Sequence, residues 1–220
     1  MAFQPRFTDQ TPWDKPLGKI VCVGRNYADH AKELNNPVPT EPLLFMKPAT
    51  SASYMADGVV LPADLGDVHY ETEMAVLIGQ TLTKASVEEA AKAVVGVGAA
   101  LDLTLRDLQS RLKEKGHPWE RAKGFDGSCP LSDFVPAQAV SDLQNVQIKL
   151  TINGDVRQDG NTEMMLYKVV DLLSHISQWC TLEAGDVVIT GTPAGVGKLN
   201  QGDQLSVELG GLIQVTTEVR

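Results

Sequence analysis

Apolar residues recur along this chain in short runs closed by glycine, proline or paired polar residues, not in long helical stripes. Residues 19–23, 42–48, 74–78, 94–101 and 187–190 each read as a strand; the runs at 74–78 and 94–101 are continuous enough to be buried on both faces. Residues 146–152 alternate apolar and polar and run into Asn153-Gly154, the dipeptide of a tight hairpin turn. Gly202-Asp203 and Gly210-Gly211 punctuate a second, closing hairpin. Helical patterns are few. They cover residues 25–34, 84–94, a segment entered near Asp102, and 163–180. Ser86 and Glu89 have the spacing of a capping box at the start of the second. The pattern predicts an α+β, β-rich domain over residues 18–220, preceded by a Pro-rich N-terminal arm over 1–17, with no repeat or linker inside it.

Composition narrows the class. The chain has 220 residues, 43% hydrophobic and 21% charged, which is ordinary globular material with enough apolar residues for a core. A net charge of −9 and the lack of a basic run argue against nucleic-acid binding; an anionic substrate would need a locally positive site. Cys22, Cys129 and Cys180 are too sparse for a disulfide framework or a zinc site and suggest reduced thiols. No apolar run reaches membrane-spanning length and the first residues lack a signal-type apolar region, so the expected location is cytoplasmic, with no membrane partner.

The candidate chemistry centres on residues 68–79, Val-His-Tyr-Glu-Thr-Glu followed by an apolar run and Gly79. Residues i and i+2 of a strand face the same way, so Glu71 and Glu73 would project side by side, with Cα atoms about 6.7 Å apart. Two charges at that distance repel by roughly 2.5 kcal/mol at an effective dielectric near 20. A strand about to be buried tolerates this poorly unless a cation lies between them, and hard divalent ions take carboxylate oxygens. Two surface glutamates at a solvated strand end would give the same short motif.

Other candidates are scattered. His30 and Glu33 are spaced i, i+3 on a short helix, where a carboxylate can orient an imidazole; a solvated surface pair has the same spacing. If helical geometry begins at Asp102, then Asp102, Arg106 and Gln109 share a face, combining a hard-metal ligand, a guanidinium for a carboxylate and an amide. Lys123, between small residues and Phe125, could meet an anion, and Lys47 ends its strand as a structural or rim charge. His175 in the last helical pattern reads as structural, and the role of His69 stays open between structure and support of the neighbouring glutamates. The loop 191–198 lacks the spacing of a phosphate-binding loop, because Thr192 stands where its first glycine would be and Leu199 where its hydroxyl would be.

Asn26-Tyr27-Ala28-Asp29-His30, Tyr70-Glu71-Thr72-Glu73, residues 101–109, Lys123-Gly124-Phe125-Asp126 and residues 190–197 occur in an order and spacing that resemble the fumarylacetoacetate hydrolase family, over roughly residues 18–210. Within it the chain is most similar to the short acylpyruvate hydrolase and oxaloacetate decarboxylase branch. The resemblance implies a mixed β-roll with a few peripheral helices, assembled as a homodimer. It implies Mg²⁺ or Mn²⁺ held by Glu71, Glu73 and Asp102. A small anionic 2-oxo acid would be cleaved at a C–C bond through a metal-stabilised pyruvate enolate. His30, oriented by Glu33 on a lid segment, would deprotonate water for acylpyruvate hydrolysis; oxaloacetate would lose CO₂ through the same enolate. Arg25, Arg106 and Lys123 would offset substrate charge, and Gln109 and Thr192 would position it. Two alternatives stay open: an isomerase or hydratase of dicarboxylic ring-cleavage products, and a metal-dependent 2-oxo-acid binding protein without turnover.

Overall fold

A computed structural model describes residues 3–34 and 36–220; the first two residues of the expected arm lie outside them. In chain order the elements are β1 (Ile20–Gly24), α1 (Ala28–Glu33), β2 (Leu43–Lys47), β3 (Ala52–Tyr54), β4 (Val68–Tyr70), β5 (Thr72–Ile78), α2 (Val87–Ala93), β6 (Val94–Leu101), β7 (Thr104–Leu105), α3 (Arg106–Glu114), α4 (Glu120–Lys123), β8 (Cys129–Leu131) and β9 (Val135–Pro136). Then follow β10 (Gln147–Ile152), β11 (Asp155–Asn161), α5 (Val169–Ser177), β12 (Val187–Ile189), β13 (Gly197–Lys198), β14 (Gln204–Leu209) and β15 (Ile213–Glu218).

The main sheet is mixed and runs β2-β1-β12-β5-β6-β8-β3, with β9 pairing β6. A second sheet, β11-β10-β14-β15, joins two hairpins through antiparallel pairing of β10 with β14, and a small third one is β13-β4-β7. Every residue of β5 is buried, which explains its unbroken apolar run. Val21, Met74, Val76 and Val188 enter one hydrophobic cluster, whereas Cys22, Ala75, Leu77, Val187 and Ile189 enter the other. Alternation along these central strands therefore separates two cores, one on each face of the sheet. Phe3 and Leu17, ahead of β1, pack into the second of them. The capping box of α2 is formed, with Ser86 Oγ accepting from Glu89 N–H and Glu89 Oε2 from Ser86 N–H. At the β10–β11 turn Asn153 (φ 52°) and Gly154 (φ 90°) take the positive angles such a hairpin requires. Among the described residues no helix is long and apolar enough to cross a membrane.

All four expected helices are shorter than their patterns, and two of them start well inside. Helix α3 begins at Arg106, not at Asp102. The N–H groups of Asp102 and Leu103 are given to Glu71 O (2.8 Å) and Ser128 O (3.0 Å), and Thr104–Leu105 pair with β4, so this segment is held extended. Helix α5 begins at Val169, because the N–H groups of Leu166 and Tyr167 go to Asn26 O and Asn26 Oδ1 (both 2.8 Å). Tertiary hydrogen bonds override local propensity at both places.

Candidate active site

The strands deliver acids to one point. Glu73 lies in β5 opposite Ala100 of β6, and Asp102 follows the end of β6. Glu71 occupies the break between β4 and β5. All three are buried, and each offers a carboxylate oxygen within 4.8 Å of the others. The i, i+2 pair thus faces one way as its spacing predicts, and the third acid arrives on an extended segment instead of a helix face.

Three basic side chains pair with two of these acids, Glu71 and Asp102. Lys123 Nζ donates to Glu71 Oε2 (2.9 Å), Asp102 Oδ2 (2.6 Å) and Thr104 Oγ1 (2.7 Å), so its protons are all committed. Arg106 Nη2 donates to Glu71 Oε1 (2.6 Å), while its Nη1 donates to Gln109 Oε1 (2.8 Å). Lys47 is no rim charge. It is fully buried, and its ammonium donates to Leu103 O (3.2 Å), Ser128 O (3.0 Å), Ser128 Oγ (3.1 Å) and Lys123 O. It also lies 2.9 Å from Asp102 Oδ1. That distance is an ion pair but not an aligned hydrogen bond, and Asp102 Oδ1 remains a buried oxygen without a hydrogen bond among the described residues.

These contacts set the proton affinities. Burial alone would push Glu71 up, but Lys123 and Arg106 outweigh it and hold the carboxyl well below the usual range. Burial would likewise lower Lys123, yet Asp102 and Glu71 raise it above an ordinary lysine. Glu73 goes the other way: burial first, then Asp102 and Glu71, push it well above the usual carboxylate range against the one hydrogen bond from Gly191 N–H (2.7 Å). Gly191 supplies that donor from a left-handed conformation (φ 91°), and a Cβ there would stand 2.7 Å from Asn26 Cβ.

The residues present fit a divalent cation. Three oxygen donors are clustered, Asp102 Oδ1 accepts no hydrogen bond among the described residues, and Glu73 resists its own charge unless a cation offsets it. The space above them is lined by Arg25, His30, Glu71, Glu73, Arg106, Gln109, Lys123 and Thr192, with Val23, Leu34, Phe45 and Trp119 as apolar wall. Only ≈ 40 Å³ of it is open to water, room for about three water molecules.

The wall carries the imidazole. His30 on α1 is buried and its Nδ1 lies 3.3 Å from Glu33 Oε2. Glu33 also accepts from Gly195 N–H at 3.0 Å (Oε1) and 3.2 Å (Oε2), which ties α1 to the loop after β12. Asn26 anchors the start of α1 through Nδ2 to Thr190 O (2.8 Å) and Tyr167 O (3.1 Å). Thr192 Oγ1 donates to Thr72 O (2.8 Å) and accepts from Gln158 Nε2 (2.7 Å). His69 is half-buried in β4, opposite Thr104 and Lys198.

Of the sequence candidates, Glu33 and Asp102 act through hydrogen bonds and ion pairs to lining residues, and the rest line the cavity. Sequence reasoning missed Thr104, Gly191, Lys113 and the buried role of Lys47. A lysine closing the apolar run Leu-Leu-Phe-Met was the one available sign.

The fold and its acidic floor define the class of protein: a β-rich scaffold whose sheet edges bring three carboxylates and matching cations to a small anion-sized cavity. The chain belongs to the fumarylacetoacetate hydrolase family, its residues 19–220 matching the model for the fumarylacetoacetate (FAA) hydrolase C-terminal domain. It is 52% identical to oxaloacetate tautomerase YcgM of Escherichia coli (strain K12) over 90% of this chain and 91% of that protein. It is 42% identical to the mitochondrial oxaloacetate decarboxylase of Dictyostelium discoideum over 88% of this chain and 89% of that one. The crystal structure of fumarylpyruvate hydrolase from Pseudomonas aeruginosa in complex with Mn²⁺ and pyruvate superposes with a TM-score of 0.91 at 33% identity, covering 99% of this chain and 95% of that chain. The β-rich roll with few helices is thus the family fold, and its relatives are enzymes of small oxo acids.

Proposed function

We propose that this chain is a divalent-metal-dependent enzyme acting on oxaloacetate and related short 2-oxo acids through their enolates. Its reactions are keto–enol interconversion and, where the adjoining bond is weak enough, C–C cleavage. The observation that carries the reading is the position of His30, in the wall of a small cavity floored by Glu71, Glu73 and Asp102, with Nδ1 against Glu33. A cation held by those three carboxylates would supply Lewis acidity toward the 2-oxo group.

The chain's own residues do the rest. With Nδ1–H donated to Glu33, His30 Nε2 carries the lone pair, and it makes no hydrogen bond among the described residues. Nε2 takes the C3 proton of the keto acid and returns it to the enol oxygen, or takes a proton from water when an acyl group is to be removed. Arg106 Nε is a buried donor without a hydrogen-bond partner among the described residues, placed to receive the substrate carboxylate, and Gln109 fixes the guanidinium plane. Lys123 is not the base, since its three protons are spent on Glu71, Asp102 and Thr104; it adds positive charge beneath the developing enolate. Phe45 and Trp119 keep bulk water off the reacting carbons. A binding protein without turnover would need neither the His30–Glu33 pair nor the uncommitted Nε2.

His30→Ala tests the reading. Rates of oxaloacetate tautomerisation, oxaloacetate decarboxylation and pyruvate release from acetylpyruvate are measured with Mg²⁺ or Mn²⁺ saturating. Tautomerisation and hydrolysis should fall by about a hundred- to ten-thousand-fold, the cost of losing a general base, and decarboxylation far less. Equal losses in all three would remove His30 as the base.

A further inference from the structure

Two acids of the cavity floor, Glu71 and Asp102, are already paired with Lys47, Lys123 and Arg106. Two further cations line the cavity with no such match. Arg25 follows β1 in a left-handed conformation (φ 57°) that a residue with a side chain adopts only when its surroundings impose it. Lys113 lies seven residues after Arg106 on α3, so Arg106, Gln109 and Lys113 follow one helix face, and all three line the cavity. Helical side chains lean toward the N-terminus, which brings the stem of Lys113 back over the cavity. Among the described residues neither cation has a carboxylate at ion-pair distance; the one polar partner of Lys113 Nζ is Asn36 Oδ1 at 3.0 Å.

We propose that Arg25 and Lys113 form a second anion subsite that takes the distal carboxylate of the substrate, so that the site prefers dicarboxylic 2-oxo acids to monocarboxylic ones. This rests on the function proposed above, because it assigns the far end of the same substrate. Two cations with no carboxylate partner among the described residues, in a chain of net charge −9, are a local departure that a second substrate carboxylate would resolve. The electrostatics agree with the geometry: partial burial pulls Arg25 below its ordinary proton affinity, and partial burial followed by Arg25 and Arg106 does the same to Lys113. An arriving carboxylate offsets the repulsion of Lys113 by these two guanidinium groups. A monocarboxylic acid reaches the floor and leaves it in place.

Lactate and malate, two unreactive 2-hydroxy acids that differ by one carboxylate, separate the possibilities. Their dissociation constants for the Mn²⁺-loaded protein are measured by isothermal titration, for the wild type and for Lys113→Met, Lys113→Arg and Arg25→Gln. Wild type should bind malate at least about tenfold more tightly, and Lys113→Met and Arg25→Gln should each reduce that preference by on the order of tenfold, as loss of a charge-assisted hydrogen bond implies, with lactate unmoved. Lys113→Arg should retain the preference. Equal affinities for the two acids in the wild type, or equal losses for both in the variants, would overturn the proposal. Failure of the metal floor has a different signature: each acid would keep its own affinity whether or not Mn²⁺ is present, whatever stands at position 113.

Discussion

Glu33 and Gly195 lie 162 residues apart and meet at the wall of the cavity: both oxygens of the Glu33 carboxylate accept the Gly195 N–H, and Oε2 also faces His30 Nδ1. One carboxylate therefore orients the imidazole and fastens the short helix that carries it. A six-residue helix is marginal by itself, so a fastening of this kind decides where it sits. Glu33→Ala should lower kcat for tautomerisation by about ten- to a hundredfold, and Glu33→Gln, which keeps an acceptor for Gly195, by less. Gly195→Ala should also harm the enzyme, because φ is 100° there and a Cβ would come within 2.0 Å of Arg157 O. Steady-state kinetics on the three variants check this. A Glu33→Ala enzyme with wild-type kcat would show that the contact is incidental.

The acidic floor predicts a thermal shift. After chelation, Mn²⁺ added to a hundred times its dissociation constant should stabilise the fold by about 2.7 kcal/mol. For a chain of this size that raises Tm by roughly 5–10 °C. Glu73→Gln should fold and lose the shift, since it retains an oxygen for Gly191 N–H but not the ligand charge. A full shift in Glu73→Gln would exclude this carboxylate from the cation site.

Lys47 holds parts of the site together from below. Its removal in Lys47→Met strands the carbonyls of Leu103, Lys123 and Ser128 and leaves Asp102 beside one cation instead of two. Breaking a buried pair in this way costs about 3–5 kcal/mol. Urea denaturation should show a loss of that size, or no soluble protein at all. A change below about 1 kcal/mol would mean that water replaces the ammonium without difficulty.

Thiol chemistry reports on the two cores. Burial pushes Cys129 up to about 12 and Cys22 well above its usual value, whereas Cys180 is partly exposed. Iodoacetamide at pH 8 should label Cys180 in the folded protein and all three cysteines after unfolding, as read by mass spectrometry of the intact chain. The sign of the linkage follows. The unfolded Cys129 thiol loses its proton near 9.0 and the folded one near 12, so between these values the folded state binds more protons and stability falls as pH rises. Rapid native labelling of Cys129 at pH 8 would show that the sheet opens there.

Much of this site was legible in one dimension. Strand length, the Asn153-Gly154 turn and the capping box at Ser86 depend on neighbours a few residues away, and the pattern of residues carries that information directly. Glu71 and Glu73 were legible for the same reason, since their common direction follows from strand geometry. The spacing puts Asp102 at the start of a helix with Arg106 and Gln109, but that helix begins only at Arg106. The backbone proton of Asp102 goes to Glu71, which no local propensity encodes. The matching of charge was equally out of reach. Lys47 meets Asp102 across 55 positions and Lys123 meets Glu71 across 52, and either lysine alone reads as a surface residue. Ionic partners of this kind are chosen by how the sheets close, because a buried charge must be paired with whatever the fold brings to it. The strands and the acids are local facts; which cations stand against them, and which remain free for a substrate, are consequences of the packed whole.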